Sequence, residues 1–179
     1  MTAANTAALK TPPVEAMTAS EFALRMGVSR ETMRRLMVLE QLVVEWQPRV
    51  KLVGRATLTD IWHRHMLDSA QLVKLAPSGA TWLDVGSGAG FPGLVVAICA
   101  GVRVHLVEAD ARKCAFLREA ARKTGANADI HNRRIEDLEP LDAGVITARA
   151  VAPLRRLLEL CARQIKPATL CLFPKGHNV

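Results

Sequence analysis

Residues 81–93, TWLDVGSGAGFPG, decide the fold of this chain. The first five are apolar except for Thr81 and Asp84, a pattern typical of a short buried strand. Four glycines follow, and an apolar helix is predicted to begin at residue 91 or 92. Glycines let the backbone turn without a Cβ clash and let a ligand approach the main chain closely. The stretch therefore predicts a strand, a ligand-binding turn and a helix in direct succession. The glycines are Gly86, Gly88, Gly90 and Gly93.

Apolar runs alternate with helical patterns from this unit to residue 174. Alternating strands and helices indicate βαβ units, whose parallel sheet is covered by helices on both faces. The expected fold class is therefore α/β, with a Rossmann-like, doubly wound and mostly parallel sheet. The predicted strands are 81–85, 102–108, 128–131, 143–148 and 169–174, and the predicted helices are 91–100, 111–124 and 153–164.

The N-terminal part of the chain is helical instead. Thr18 and Glu21 form a capping box that predicts a helix ending near Gly27, and Ser29 is expected to cap a longer helix. A third helix is predicted from 59 to 75. The chain is thus expected to divide into a disordered N-terminal arm (residues 1–16), a helical cap (17–78) and a Rossmann-like core (79–179).

Composition limits the possible function classes. The 179 residues are 50% hydrophobic and 23% charged, which predicts a globular chain rather than a disordered one. A net charge of +7 suits a polyanionic partner such as nucleic acid, although a charge that serves only solubility is the alternative. The four cysteines form no C-x-x-C pair, so buried free thiols are expected rather than disulfides or a metal site. Because the sequence shows neither a signal peptide nor an apolar run of about 18 residues, we expect a cytoplasmic protein without a membrane span. We also expect a monomer without a metal.

The glycine loop also matches the dinucleotide pattern G-x-G-x-x-G from Gly88 to Gly93, and Glu108 follows at the distance that this pattern requires. A nicotinamide cofactor is therefore one interpretation. Two residues weigh against it. Asp84 would oppose the charge of a pyrophosphate, and Pro92 lacks the N–H that a helix N-terminus offers to an anion.

S-adenosylmethionine suits the loop better, because it carries a sulfonium and an ammonium and has no phosphate. Asp84 is expected to face that cationic end while the glycine backbone, from Gly86 to Gly90, passes alongside. Glu108 offers two carboxylate oxygens to the two ribose hydroxyls. These residues therefore favour a methyl donor over a dinucleotide.

Three further side chains are expected at the same edge, since ligands bind at the carboxyl ends of the strands in a doubly wound sheet. Ile135 is expected to pack on the adenine and Glu136 to bind its exocyclic amine, although a basic surface loop with one carboxylate is equally open. Arg149 follows the fourth strand and should point into the cleft toward substrate or cofactor; a structural salt bridge is the alternative. Arg112 and Lys113 begin the helix after the second strand, where they oppose the helix dipole, which favours a role other than stability.

Two patterns in the helical part have competing interpretations. Residues 21–36, EFALRMGVSRETMRRL, match a DNA-binding helix-turn-helix, but two packed helices joined by a glycine turn are the favoured interpretation. His63 and His65 diverge by about 200° on a helix, which excludes a chelating pair. A structural role is favoured for each, and Asp68 lies one turn from His65 and could orient it.

Six segments, in this order, resemble the GidB, or RsmG, family of small-subunit ribosomal RNA methyltransferases, over residues from about 29 to 176. LDVGSGAG alone is general to Rossmann-type methyltransferases, whereas the combination of the basic helix with the last two segments is specific. The segments are WHRHMLDS (62–69), LDVGSGAGFPG (83–93), LVEADARKCAFLREAAR (106–122), RIED (134–137), ITARAVAPL (146–154) and FPKG (173–176).

The resemblance implies transfer of a methyl group from S-adenosylmethionine to N7 of a guanine in ribosomal RNA, presented within a small-subunit particle or its precursor. It implies donor contacts at Gly86, Phe91, Ile135 and Glu136, and it places Arg149 at the donor and the active site. The family usually continues beyond FPKG with a helix and a terminal strand pair, so that strand pair is expected to be missing from this sheet.

The family reaction agrees with the side chains available. The sequence offers no nucleophile–base pair, metal cluster or paired carboxylates, and guanine N7 carries an exposed lone pair that needs no base. Proximity and alignment can therefore carry the reaction, with Arg149 as the expected catalytic residue that positions the base or an adjacent phosphate. The residues expected to bind RNA are Arg112, Lys113, Arg118, Arg133, Arg134 and Lys175. An NAD-dependent oxidoreductase and a helix-turn-helix DNA-binding regulator are the alternative functions.

Overall fold

The computed structural model describes residues 16–174 and contains one five-stranded sheet in this part of the chain. The strands are β1 (Trp82–Val85), β2 (Val104–Glu108), β3 (Ala128–Asn132), β4 (Val145–Ala148) and β5 (Leu170–Leu172). Every pairing is parallel, and the order across the sheet is β3-β2-β1-β4-β5. This is the doubly wound arrangement predicted from the sequence. Lys175 and all but the last residue of the expected N-terminal arm lie outside the described residues.

Helices cover both faces of the sheet. The α-helices are α1 (Ala19–Met26), α2 (Arg30–Trp46), α3 (Arg55–Leu58), α4 (Asp68–Ala70), α5 (Gly93–Ala100), α6 (Ala111–Thr124) and α7 (Leu154–Cys161). A π-helix (Trp62–Leu67) and two 3-10 helices (Gln71–Leu75 and Ile135–Asp137) accompany them. Trp82 and Leu106 face α5, α6 and the N-terminal helices, whereas Leu83 and Ile146 face α7. The apolar runs of the sequence thus become strands that are buried on both sides.

The order of the strands positions the site. β1 lies at the centre of the sheet, with β2 on one side and β4 on the other. The chain therefore reverses its direction of winding between β1 and β4, and ligands bind beyond the carboxyl ends of the strands at such a switch point. Gly86 follows β1, Glu108 ends β2 and Arg149 follows β4 at this edge.

The N-terminal helices share one hydrophobic core with the sheet. Phe22 of α1, Leu36 of α2 and Met66 of the π-helix are fully buried. Arg35 also fastens α2 to the end of α6, because its guanidinium donates to two backbone carbonyl oxygens there at 2.6 and 2.8 Å. Helices α1 and α2 are therefore a packed helix pair joined by the turn at Gly27, in agreement with the favoured interpretation of this segment.

The segment predicted as one helix over residues 59–75 is helical from Trp62 to Leu75, but it is not one regular α-helix. The segment instead forms the π-helix, the short α4 and a 3-10 helix in succession. The N–H of Asp68 bonds the carbonyl oxygens of His63 and His65, and the Ser69 hydroxyl donates to the His65 carbonyl oxygen as well. These competing bonds interrupt the regular helical ladder. Such π-turns often occur at functional sites, and this one contains His65.

The other elements follow the prediction more closely. Helix α6 is confirmed over its full length, because Asp110 accepts the N–H groups of its first turn and Gly125 ends it in the left-handed region. Helix α5 begins at Gly93, after Pro92, rather than at residue 91 or 92. The strands other than β3 are shorter than predicted, and α7 ends at Cys161 rather than at 164.

The structure also shows the state of the cysteines and the character of the helices. All four cysteines are free thiols, as predicted, with Cys114 and Cys161 buried and Cys99 and Cys171 partly buried. No helix in the described part of the chain combines the length and the apolar character needed to cross a bilayer.

Candidate active site

The glycine turn begins where β1 ends. Gly86 has a φ of 65°, in the left-handed region that favours glycine. A Cβ at this position would lie 2.6 Å from Cγ2 of Val151 in the segment after β4. Ala150, immediately before Val151, has a φ of 56°, an uncommon backbone conformation for a residue with a side chain. The turn after β1 and the segment after β4 are therefore built against each other.

Glu108, at the end of β2, is held in place by the glycine turn. Its Oε2 accepts the N–H of Gly88 at 3.0 Å, and its Oε1 accepts the N–H of Asp110 at 2.9 Å. Each carboxylate oxygen keeps a further lone pair. The carboxylate is thus fixed in position and retains acceptor capacity for a ligand that donates from two hydroxyls.

A cavity of about 160 Å³ lies between the ends of β1 and β2 and the loop after β3. We call it the donor cavity, after the methyl donor predicted to bind there. Several predicted residues meet at its wall: Gly86, Glu108, Arg133, Arg134, Ile135 and Glu136. Ligand pockets usually enclose at least about 300 Å³. The cavity is therefore smaller than an ordinary ligand pocket, and Val151 also lines it.

Gly88 and Arg149, also predicted at the methyl donor, do not line this cavity, and three further predicted residues lie behind it. Gly90 and Phe91 are buried beside the turn, and Asp84 has no exposed surface. Asp84 Oδ2 accepts the N–H of Gly93 at 3.1 Å, which ties β1 to the start of α5. The cavity wall therefore brings together part of the predicted donor set and leaves these three residues behind it.

Asp84 is electrostatically unusual. Burial raises the pKa of this carboxyl to about 7, against the opposing effects of the Gly93 N–H and of Arg149. Its Oδ1 has no hydrogen-bond partner among the described residues. Thr147, which pairs with Asp84 in the register of β1 and β4, is also fully buried with an unpartnered Oγ1. Two adjacent strands thus hold unsatisfied polar atoms beside the turn, and buried polar groups of this kind call for a partner.

Replacing Gly93 with Ala is expected to destabilise the fold by about 2–3 kcal/mol. An added Cβ would clash with Cδ2 of Leu106 and would lie 2.7 Å from Asp84 Oδ2 and 3.0 Å from Asp84 Cβ, so Leu106, the carboxylate or α5 must shift. Gly101→Ala, at the other end of α5, is the control. Its added Cβ meets nothing within 4 Å, so only the backbone cost of a positive φ, about 1 kcal/mol, is expected. Urea unfolding measures both losses, and equal losses would contradict the crowding at Gly93.

Arg149 is held at the carboxyl end of β4 by three contacts. One terminal nitrogen donates to the carbonyl oxygen of Arg64 at 2.9 Å, and the other donates to Nδ1 of His65 at 2.6 Å. The guanidinium carbon lies 5.6 Å from the ring centroid of Phe91, within cation–π range. Burial lowers the pKa of Arg149, while Asp68 and Asp84 oppose this shift. The side chain remains a cation at neutral pH.

His65 links Arg149 to the segment before the π-helix. Its Nε2 lies 2.9 Å from Oγ1 of Thr57, and the Thr57 hydroxyl donates to the carbonyl oxygen of Gly54 at 2.9 Å. The hydroxyl must therefore accept from Nε2–H, and Nδ1 must accept from Arg149, which assigns the neutral imidazole with its proton on Nε2. Burial, followed by the charge of Arg149, lowers the pKa of His65 to about 4, in agreement with a neutral ring. The imidazole also stacks on Phe91, with ring centroids 5.0 Å apart.

Asp68 does not orient His65, contrary to the sequence-based suggestion. The hydrogen-bond partners of the His65 ring are Thr57 and Arg149 instead, because the π-helix changes the direction of the side chains after residue 62. His63 lies 3.4 Å from a carboxylate oxygen of Asp60, apart from this cluster.

The residues predicted to bind RNA occupy two places. Arg112, Lys113 and Arg118 lie on the first two turns of α6, whereas Arg133 and Arg134 lie in the loop at the donor cavity. Lys175 lies outside the described residues. Glu136, predicted at the donor, is exposed and lies 3.7 Å from Arg156 on α7. Of these described basic residues, Arg133 and Arg134 line the cavity.

Sequence patterns missed Thr57 and Val151, and they indicated only a structural role for His65. The relevant signal was the WHRHMLDS segment, which belongs to the family resemblance although its spacing indicates no chemistry by itself. The described residues contain no group of three or more His, Cys, Asp or Glu side chains that could hold a metal ion.

Several solved structures share this fold. An RNA methyltransferase from Salinibacter ruber, in complex with S-adenosyl-L-homocysteine, is similar with a TM-score of 0.52 and 19% identity, covering 64% of this chain and 78% of that one. M. jannaschii TYW2, in complex with AdoMet, is similar with a TM-score of 0.52 and 14% identity, covering 59% of this chain and 50% of that one. At these identities the likeness concerns the fold alone.

Comparison of sequences is more specific. A ribosomal RNA small subunit methyltransferase G from Rhodospirillum centenum is 52% identical over 167 residues, which are 93% of this chain and 77% of the relative. One from Paramagnetospirillum magneticum is 53% identical over 159 residues, which are 88% of this chain and 78% of the relative. The family model of rRNA small subunit methyltransferase G matches residues 32–179. This chain therefore belongs to the GidB family, the rRNA small subunit methyltransferase G family.

Proposed function

We propose that this chain is an S-adenosylmethionine-dependent methyltransferase that modifies N7 of a guanine in small-subunit ribosomal RNA. The observation that carries the proposal is the family match, which includes the whole sheet and every described residue of the candidate site. The geometry supports it, since Gly86, Glu108 and Arg149 lie at the carboxyl edge of a doubly wound sheet. The family match supports neither of the alternative functions, the NAD-dependent oxidoreductase and the helix-turn-helix DNA-binding regulator.

The residues at the carboxyl edge suit S-adenosylmethionine. Glu108 keeps lone pairs for the two ribose hydroxyls, and Ile135 supplies an apolar wall to the cavity. Asp84 Oδ1 is a buried acceptor without a partner among residues 16–174, and a cationic group can satisfy it. Gly86, which lines the cavity, lets a ligand approach the backbone because it has no Cβ. When bound, the donor supplies an electrophilic methyl group on a sulfonium.

The protein's part in the reaction is positioning. Guanine N7 already carries a lone pair, so no side chain has to remove a proton before attack. Arg149 has five N–H donors, and its partners Arg64 and His65 use two of them. The remaining donors can bind the guanine base or an adjacent phosphate. Phe91 and His65 hold the guanidinium in a fixed orientation, which places the base against the donor without further ordering cost.

The substrate is proposed to be RNA within a small-subunit particle or its precursor, and the protein is proposed to act in the cytoplasm as a monomer. Arg133 and Arg134 line the donor cavity, whereas Arg112, Lys113 and Arg118 lie on the first two turns of α6. All five are proposed to contact RNA phosphates.

Calorimetric titration with S-adenosylmethionine and with NAD tests the proposed cofactor. The parent protein is expected to bind the first and not the second; the reverse result would overturn the proposal.

Glu108→Ala is expected to lower the affinity for S-adenosylmethionine by about 10–100-fold, since it removes charge-assisted hydrogen bonds worth about 1.5–3 kcal/mol each. Glu139→Ala, which removes an exposed carboxylate 3.6 Å from Arg163, is the matched control and should leave the affinity unchanged. Equal affinities of the two variants would remove Glu108 from the donor site.

A further inference from the structure

We propose that a basic groove between the end of α2 and the start of α6 binds the phosphodiester backbone of the RNA next to the reacting nucleotide. This inference rests on the proposed function and adds a binding surface of which the sequence patterns indicated only Arg112. The groove has a volume of about 990 Å³, several times that of the donor cavity. Its principal lining residues are Val44, Arg49, Lys51, Arg55, Leu58 and Arg112.

The charge of the groove is of one sign. Among the described residues that line it, four are cations and none is acidic. Arg49, Lys51 and Arg55 are exposed, and their side chains make no ion pair or hydrogen bond within the described part of the chain. Many surface cations elsewhere are paired with carboxylates, as in Arg34–Glu31, Arg103–Asp129, Arg122–Glu119 and Lys166–Asp142. Unpaired cations that converge on one concave surface focus a positive potential and attract a polyanion.

Part of the groove surface is apolar. Val44 on α2 is 52% exposed, and Pro48 and Leu58 lie at the same groove. A nucleic-acid strand presents phosphate charge together with the less polar surfaces of ribose and base, so it matches both parts of this surface. An inorganic anion would use only the cations.

The groove is connected to the reaction site from two sides. Gly54, in its wall, accepts the hydrogen bond of Thr57, and the bonds from Thr57 through His65 lead to Arg149. On the other side, Arg112 follows Asp110, whose N–H binds the donor-site carboxylate. RNA bound in the groove therefore lies beside both Arg149 and the donor cavity, where flanking nucleotides of a methylated base must pass.

The test compares two triple variants of equal charge change. Arg49→Ala/Lys51→Ala/Arg55→Ala removes the groove cations. Arg25→Ala/Arg30→Ala/Lys74→Ala removes exposed cations elsewhere whose side chains make no ion pair or hydrogen bond with any described residue. Of these, Arg30 lies about 24 Å from the groove end of α2. The probe is protein-free small-subunit ribosomal RNA from cells that lack this protein. Its affinity is measured by filter binding at several potassium chloride concentrations, and S-adenosylmethionine binding is measured separately by calorimetry.

The groove variant is expected to bind this RNA at least 10-fold more weakly at about 0.1 M salt, and the slope of log K against log salt should fall by about 2, since each lost phosphate contact contributes about 0.7–0.9. Its donor affinity should stay within 2-fold of the parent value, and the control should lose less than 3-fold in RNA affinity. Equal RNA losses in the two variants would overturn the inference. So would a groove variant that binds protein-free RNA normally and fails only on intact particles, because the groove would then contact a ribosomal protein. A parent protein that binds RNA through the groove but no methyl donor would instead contradict the proposed function.

Discussion

Arg149→Ala is expected to lower methyl transfer to small-subunit ribosomal RNA by at least about 10²-fold, the usual cost of removing one preorganised donor from an active site. The variant loses the only described cation that is held by Arg64, His65 and Phe91 together. The base or the adjacent phosphate then has to be ordered during the reaction instead of before it. The measurement is incorporation of a labelled methyl group at saturating S-adenosylmethionine, with RNA from cells that lack the protein.

Two further variants separate positioning from charge. Arg149→Lys keeps the cation but loses the planar guanidinium, which bonds two protein partners and leaves further N–H donors for the substrate. The variant should therefore recover little of the activity. Arg155→Ala removes an exposed arginine on α7 that lies 3.4 Å from Glu159, and it should retain parental turnover. Urea unfolding and circular dichroism establish that the variants are folded. Near-normal turnover of Arg149→Ala would remove this residue from the active site.

Asp84→Asn is expected to stabilise the ligand-free protein above pH 7. The folded-state pKa of Asp84, about 7, lies above the ordinary value of 3.8, so folding favours the protonated form. The stability contributed by this group is therefore present below about pH 4 and is lost as pH rises to about 7. An amide does not ionise, so the variant should exceed the parent by about 2–4 kcal/mol at pH 8 and match it near pH 4.

Asp84→Asn is expected to weaken the binding of S-adenosylmethionine, although it stabilises the fold. An ionised Asp84 offers a negative charge to a cationic ligand, so parental affinity for S-adenosylmethionine should rise between about pH 6 and 8, whereas the affinity of Asp84→Asn should stay low and flat. Urea unfolding and calorimetry at pH 5 and 8 give both quantities. The lowered pKa of His65 produces the reverse trend, a loss of stability as pH falls below about 6.5 toward 4. Because variant and parent share this trend, the difference between their free energies of unfolding reports on Asp84 alone.

Asp142→Asn is the control for Asp84→Asn. Asp142 is exposed and pairs with Lys166, so its loss should cost less than about 1 kcal/mol and leave donor binding unchanged. A stability difference between Asp84→Asn and the parent that does not change from pH 5 to 8 would contradict the elevated pKa of Asp84. If Asp84→Asn bound S-adenosylmethionine as tightly as the parent at pH 8, Asp84 would serve only to hold the glycine turn.

The parts of the fold that follow local rules could be predicted from the sequence. Helix α6 is correct to the residue because its limits depend on the adjacent Asp110 cap and on Gly125. The position of Arg149 at the site edge also follows from sequence, since every parallel strand presents its carboxyl end at one edge of the sheet.

Features that depend on distant partners could not be predicted. The tautomer of His65 is set by Arg149, 84 residues away, and the π-helix that contains it arises from bonds at Asp68 and Ser69. The burial of Asp84 depends on how closely Gly93 packs against β1, which neither residue's type determines. The groove likewise combines the end of α2 with the start of α6, and no local pattern joins these segments.

The most direct measurement is mass spectrometric mapping of modified nucleosides in small-subunit ribosomal RNA from cells with and without this protein. The proposed function predicts that one guanine loses its N7 methyl group in cells that lack the protein, and that purified protein with S-adenosylmethionine restores it on their small-subunit particles. Arg149→Ala should fail to restore it. An identical set of methylated nucleosides in the two RNAs would contradict the proposed function.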